Sequence, residues 1–467
     1  MKMWSGRFGQ PLDAEFERWQ RSFPFDQRLL AQEVAASRVH GQALRKAGIL
    51  SPSELKAVVE GLTQIAEKAA ASPAFLADDS AEDVHHFVEK KLVEVIGETG
   101  YKLHSGRSRN EQIATDLRLY VLHAIDQASE QIGELIAALL ARAEQAESAA
   151  MPAYTHLQRA EPVLVAHWLL AYVEMLFRDQ ERLADCRKRV NLCPLGSGAV
   201  AGAMLALDRR GMAEQLGFDA PTNNSLDATT DRDFALEFVQ ALLLLSLHLS
   251  RWAEEMLLFS TQEYGFITLP ERYSTGSSAM PQKKNPDLLE LARGKAGRIA
   301  GDFNALVLVL KGLPLAYNKD LQETQEPLFD AAATMLSLLP LVTGWMKEVE
   351  FNYTRMQDAA QSGSLNAWAA ATYLAERGVP FRLAHEKVGN AVRLCLEKHC
   401  ELQELSLEEL RQFSPEFEQD IYARLTVESV LARHDVHGGT APARVRQAIA
   451  EGKRRLTVIR EVAHAHA

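Results

Sequence analysis

Apolar residues recur at three- and four-residue spacing through most of this chain, and strand-like alternation is scarce, so the pattern predicts helices almost throughout. Over 111–148, Leu117, Val121, Ala124, Ala128, Ile132, Leu135 and Leu139 keep one face, Gly133 is the only interruption, and Pro152 is the stop. Roughly 38 residues at about 1.5 Å each make a rod near 57 Å long, which suits a bundle better than a small domain. Over 231–264, Phe234, Phe238, Leu242, Leu245 and their neighbours are apolar on more than one side, so this helix is expected among others in a core. Thr229 or Thr230 is its expected cap and Gly265 its end. Further helices are expected at 26–46, at 82–96, after the cap Ser51-Pro52-Ser53-Glu54, from Pro162 onward and over 287–311, with a last core helix bent near Pro340. From about 358 the pattern changes to short helices at 365–377, 380–398, 406–413 and 442–454. The expected fold is all-α. An elongated central long-helix bundle spans 107–357, between smaller, mostly helical N-terminal (1–106) and C-terminal (358–467) domains.

Composition adds exclusions. Of 467 residues, 47% are hydrophobic and 24% charged, as in ordinary globular proteins. A net charge of −11 disfavours wholesale binding of nucleic acid or an anionic membrane, so an anionic substrate needs a local basic pocket. Cys186, Cys193, Cys395 and Cys400 include no CxxC pair and no histidine at zinc-site spacing, so no metal is expected and a reducing compartment fits. The start, residues 1–7, lacks an apolar signal core, and no run of 18 apolar residues occurs; a cytoplasmic protein off the membrane is expected. The glycines of 190–207 lack the Gly-Lys-Ser/Thr ending of a phosphate loop and are read as tight packing or a helix bend.

The chemistry lies in the loops between rods. Residues 273–287, Tyr-Ser-Thr-Gly-Ser-Ser-Ala-Met-Pro-Gln-Lys-Lys-Asn-Pro-Asp, join two long helices and carry hydroxyls, an amide and the ammonium groups of Lys283 and Lys284. Asn285 before Pro286 reads as a helix start, whose free N–H groups and positive dipole end favour an anion. Arg107 and Arg109, in the turn 103–112, present guanidinium forks suited to carboxylates. His156, in the polar segment 151–162, is placed for acid/base work near neutral pH. The 107–110 and 155–156 segments bound one predicted rod, so a shared small substrate needs more than one chain, and a symmetric homo-oligomer follows.

Five segments together resemble the argininosuccinate lyase branch of the fumarase/aspartase superfamily: His104–Asn110, Tyr154–Gln158, Asn224–Asp227, Gly276–Asp287 and Tyr317–Gln322. The resemblance covers nearly the whole chain. It implies a homotetramer whose four sites are each built by three chains, acting without cofactor on argininosuccinate to give arginine and fumarate. It implies Ser277 as the base, His156 in acid chemistry on the leaving group, and Lys283 stabilising charge. Asn285, Asn110 and Thr155 would orient carboxylates. Tyr317 and Gln322 would bind the arginine portion, and Ser22, Arg109 and Lys319 are further contacts. Departures are Ser105 and Glu111, where the family usually has Thr and Asp, and Gln325, where it usually has a substrate-contacting lysine. Two alternatives stay open: a sister lyase acting on adenylosuccinate, and a crystallin-like structural paralogue.

Overall fold

The computed structural model describes residues 10–146 and 148–465; the N-terminal segment 1–7, read above for a signal core, lies outside them. The chain is predominantly helical, with only short two-stranded pairings among the described residues. It forms two compact units. One is built from the stretches up to Gln127, Glu181–Leu244 and Gly297–Met335, the other from Ala128–Gln180, Leu245–Ala296 and 336–465.

In the first unit, helices Leu30–Lys46, Pro52–Ala71 and Val84–Ile96 bury Val34, Leu44, Val58, Leu62, Phe87 and Leu92 against one another. Ser51 and Glu54 form a reciprocal capping box, as their spacing suggests, and Phe23 stacks on Phe87 with ring centroids 4.8 Å apart. In the second unit, Leu135, Leu139, Leu169, Val173, Met256 and Val342 form the core, and Trp252 meets Trp345 edge-on at 5.1 Å. The same unit contains a separate apolar cluster around Tyr373, Leu374, Val388, Leu410, Phe417 and Ile421. The helices Asp233–Ser260 and Lys319–Glu348 are long and apolar enough to cross a membrane by composition, but half or more of each apolar window is buried within the protein. Cys186, Cys193 and Cys395 are buried, and burial pushes each thiol up to about 12, which makes them inert.

Several boundaries differ from the sequence reading. The 26–46 helix begins at Leu30, after a short turn Phe23–Asp26 and a 3-10 turn Gln27–Leu29 that buries Asp26. Thr229 and Thr230 belong to their own short helix, Ser225–Thr230; the long helix is Asp233–Ser260, and Asp231 Oδ1 accepts from Asp233 N at its start. The glycine-rich 190–207 segment is not helical: its strand Leu192–Cys193 pairs with Ala220–Pro221, and Gly196, Gly198 and Gly202 take positive φ. Residues 150–164 form a β-hairpin, Ala150–Thr155 against Gln158–Leu164, rather than a loop. Pro162 therefore lies in a strand opposite Pro152, and the next helix starts at Val165. Prolines donate no ladder hydrogen bond, which hid the strands from the pattern. The last helix, Pro442–Ala465, runs well past its expected end.

Candidate active site

The 273–287 segment is a small hairpin, not a free loop. Thr275 pairs with Asn285 and Gly276 with Lys284, which leaves 277–283 as the tip, with Ser277 half-buried and 278–283 exposed. The following helix begins at Asp287, so Asn285 is not its cap; its Nδ2 instead donates to Thr275 Oγ1 (3.3 Å) and to the Gly276 carbonyl (3.4 Å). Thr275 Oγ1 donates to Asp287 Oδ2 at 2.6 Å. Lys284 spends its ammonium on the Leu269 carbonyl at 2.6 Å, while Lys283 stands exposed on the tip. Ser277 Oγ accepts from the amides of Ala279 (3.2 Å) and Met280 (3.1 Å). Two backbone N–H donors therefore converge on one hydroxyl oxygen.

His156 and Leu157 form the tip of the other hairpin, both with left-handed φ, +55° and +58°. Two successive positive φ values are what a tight two-residue hairpin turn requires; the usual Asn-Gly signal is absent, and Leu157 adopts this conformation while 68% exposed. Thr155 and His156 are both exposed there. Arg159 secures the hairpin through Ser362 Oγ at 2.8 Å and the Ala359 carbonyl at 3.2 Å. Both exposed tips, with His156 and Ser277, belong to the second unit; no hydrogen bond joins those two side chains among the described residues.

The remaining sequence candidates gather in the first unit. Ser22 Oγ donates to Asp26 Oδ2 (2.5 Å), and Asp26 Oδ1 accepts from Val84 N (3.0 Å). Arg109 is ion-paired with Asp83, which also caps the Val84–Ile96 helix by accepting from His86 N. Lys319 lies 3.9 Å from Glu82, and Gln322 Nε2 donates to the Gln20 carbonyl at 3.2 Å. Asn110 Nδ2 donates to the Ala199 carbonyl at 3.4 Å. Tyr317 follows Ala316, whose φ of +70° is the kind of strain found at functional positions. Gln325 is buried with its Oε1 unpartnered. Thus Ser22, Arg109 and Lys319 are tied to one acidic frame of Asp26, Glu82 and Asp83, whose charges also act on Tyr317, while Gln322 is anchored on the Gln20 carbonyl. Burial, helped by Asp83, pushes the Asp26 carboxyl up to about 7. For Asp83 burial works the other way from its partners, and Arg109 and His85 outweigh it, holding that carboxyl below its usual range.

The sequence reading missed Asp26, Asp83 and Arg232. Asp83 announces itself as an N-cap just before an apolar run. Arg232 gave no signal: it is fully buried, spends one nitrogen on the Asp231 carbonyl, and leaves Nε and one terminal nitrogen without a hydrogen-bond partner. Burial lowers its guanidinium to about 10, against the pull of nearby Tyr317 and Asp231.

Behind the arginine turn lies a buried cluster, Glu33, His85 and Asp116, with ligand-type atoms all within 4.8 Å. The donor types suit a divalent cation, but the positive charge is already supplied. Arg107 lies 3.6 Å from Glu33 and donates to Ser37 Oγ at 2.9 Å. Glu33 accepts from Ser37 (2.6 Å), from His85 Nδ1 (2.8 Å) and from the Gln112 amide (3.2 Å). Burial opposes ionisation of Glu33, yet Arg107 and His85 outweigh it; burial and Glu33 together raise Asp116. Glu33 is thus held as a carboxylate between the Arg107 guanidinium and His85, while the neighbouring Asp116 carboxyl is pushed the other way, toward its protonated form. This network fixes Arg107, two residues before Arg109, from behind.

Comparison with known proteins identifies the family. A lyase family model matches residues 6–301, and a model of the argininosuccinate lyase C-terminal region matches residues 364–432. The chain is 59% identical to argininosuccinate lyase of Koribacter versatilis over 468 positions, covering all of both chains. It is 56% identical to argininosuccinate lyase of Acidobacterium capsulatum, again over the whole of both. Among solved structures, EDDS lyase in complex with formate superposes with a TM-score of 0.83 at 25% identity, covering 98% of this chain and 93% of that one. Class II fumarase from Schistosoma mansoni shares the fold with a TM-score of 0.74, covering 86% of this chain and 90% of that one at 15% identity. With two family models matched and full-length identities of 59% and 56%, the chain belongs to the argininosuccinate lyase family of the fumarase/aspartase superfamily.

Proposed function

We propose that this protein is a cytoplasmic, cofactor-independent argininosuccinate lyase that eliminates fumarate reversibly from argininosuccinate and releases arginine. The observation that carries the reading is Ser277: it occupies the family's signature position, on an exposed tip, with its Oγ under two amide N–H groups. Ser277 removes the hydrogen beside a carboxylate. The extra charge on that carboxylate is stabilised by Lys283 and by N–H donors. The carbon–nitrogen bond then breaks, and His156 supports protonation of the departing guanidino group. Asn285, Asn110 and Thr155 orient carboxylates, while Ser22, Arg109, Tyr317, Lys319, Gln322 and Gln325 receive the rest of the substrate.

The assembly is a homotetramer with sites shared among chains. Support comes from the uninterrupted 37-residue helix Arg109–Gln145, which at about 1.5 Å per residue is roughly 55 Å long. Leu291 (59% exposed), Leu308 (62%) and Leu341 (47%) are apolar side chains suited to burial against further copies. The division into 1–106, 107–357 and 358–467 is kept as a proposal, supported at its C-terminal end by the separate core around Tyr373 and Phe417.

The test is ultraviolet absorbance of the fumarate released from argininosuccinate, with adenylosuccinate as comparison. Release only from argininosuccinate is expected. Release only from adenylosuccinate identifies a sister lyase, and none from either identifies a structural paralogue. A second outcome concerns Gln325, a neutral amide where relatives carry a substrate-binding lysine. Gln325→Lys is expected to lower KM by about fivefold to tenfold, the difference between a charge-assisted and a neutral hydrogen bond; an unchanged KM removes the role assigned to that position.

A further inference from the structure

Glycine inside a helix destabilises it relative to alanine, so an internal glycine calls for a reason. Gly344 lies inside the helix Gln325–Glu348, four residues after Pro340, which already removes one hydrogen bond from the same helix. Its φ is not in the left-handed region, so backbone freedom is not the reason. Space is. A methyl group at 344 would collide with the Tyr273 hydroxyl and come within 2.9 Å of its Cζ. Tyr273 thus seats its phenol on the bare backbone of Gly344.

The rest of the approach segment is fastened along the same end of the helix. Ile267 and Thr268 pair with Phe351 and Glu350, just past its C-terminus. Arg272 Nη1 lies 2.8 Å from Glu348 Oε1, and residues 344 and 348 share one helix face. Adjacent residues 272 and 273 therefore dock on adjacent turns. Tyr273 N donates to the Pro270 carbonyl (3.2 Å), and Ser274 Oγ donates to the same oxygen (2.8 Å). On the return side, Lys284 holds the Leu269 carbonyl. Ser277 is four residues beyond Tyr273, on the hairpin that this base carries.

We infer that the Tyr273–Gly344 seat sets the position of Ser277, making Tyr273 and Gly344 positioning residues for the elimination. The inference rests on the reading of Ser277 as the base. A displacement of about 1 Å at a reacting group can cost on the order of 100-fold in rate, and an added methyl pushes the phenol by at least a fraction of that.

Gly344→Ala is expected to lower kcat by about tenfold to 100-fold, with a smaller rise in KM, because Asn285 rides on the displaced hairpin whereas Asn110, Arg109 and Thr155 lie off it. Tyr273→Phe removes the atom nearest to position 344, so the double variant G344A/Y273F is expected to recover much of the lost kcat. Thermal midpoints are measured alongside. Three results overturn the inference: full kcat in G344A, no recovery in the double variant, or recovery of the midpoint without recovery of kcat. Where G344A does not fold, Tyr273→Ala replaces it, removing the phenol with Gly344 intact; a similar loss of kcat is expected, and full kcat overturns the inference. Ser277→Ala in the same assay separates the levels. An active S277A removes the reading of Ser277 and the seat with it, whereas an inactive S277A beside a fully active G344A removes the seat alone.

Discussion

Ser277→Ala is expected to lower kcat for argininosuccinate by about 10³-fold, within the range that a positioned proton acceptor contributes, while the thermal midpoint and assembly stay unchanged. The hydrogen bonds of this hydroxyl stay within its own turn, where Oγ accepts from Ala279 N and Met280 N. Alanine there removes no core packing, and the two amides lie on an exposed tip where water replaces the lost acceptor. The stability cost is therefore small and the catalytic cost large. Rate and midpoint separate the roles: a parallel fall in both would mean that the hydroxyl holds the tip together rather than taking a proton. A kcat within tenfold of the parent would assign proton removal to another group.

The second large effect is a gain. His156→Asn is expected to be nearly inactive alone, because the amide cannot donate a proton to the leaving nitrogen as an imidazolium does. When S277A and H156N chains are unfolded together and reassembled, activity is expected to return well above that of either variant. If Ser277 and His156 of one site come from different chains, some sites in a mixed tetramer receive both parent residues. Mixing without recovery, in material shown to be mixed by mass, would place both groups of a site on a single chain and end the shared-site proposal.

The long rods were legible because their apolar periodicity is sustained, and the Pro52–Ala71 helix because Ser51 caps it. The 150–164 hairpin was not legible. Its strands carry paired prolines, and its turn is built from His156 and Leu157, which have no intrinsic preference for positive φ. The site divides in the same way. Ser277, His156 and Lys283 lie in recognisable short segments. Their supports do not: Asp26 is held by Val84 N and Asp83 reaches Arg109 across the fold, Arg232 is set by burial, and Gly344 has a partner 71 positions earlier in Tyr273. Position-to-position complementarity of that kind is a property of packing, which local pattern does not carry. Lys284 is the opposite case: sequence offered it as an anion-binding cation, and the backbone carbonyl of Leu269 takes it out of that role.

Each compact unit is stitched from three separated stretches of chain. During synthesis the first unit lacks its closing piece until residue 335 has left the ribosome, and the second waits for the C-terminal helix ending at Ala465. Early-emerging rods such as Arg109–Gln145 must therefore spend much of translation with their apolar faces uncovered. Nascent chains of this protein should be clients of holding chaperones until the helix Pro442–Ala465 has emerged.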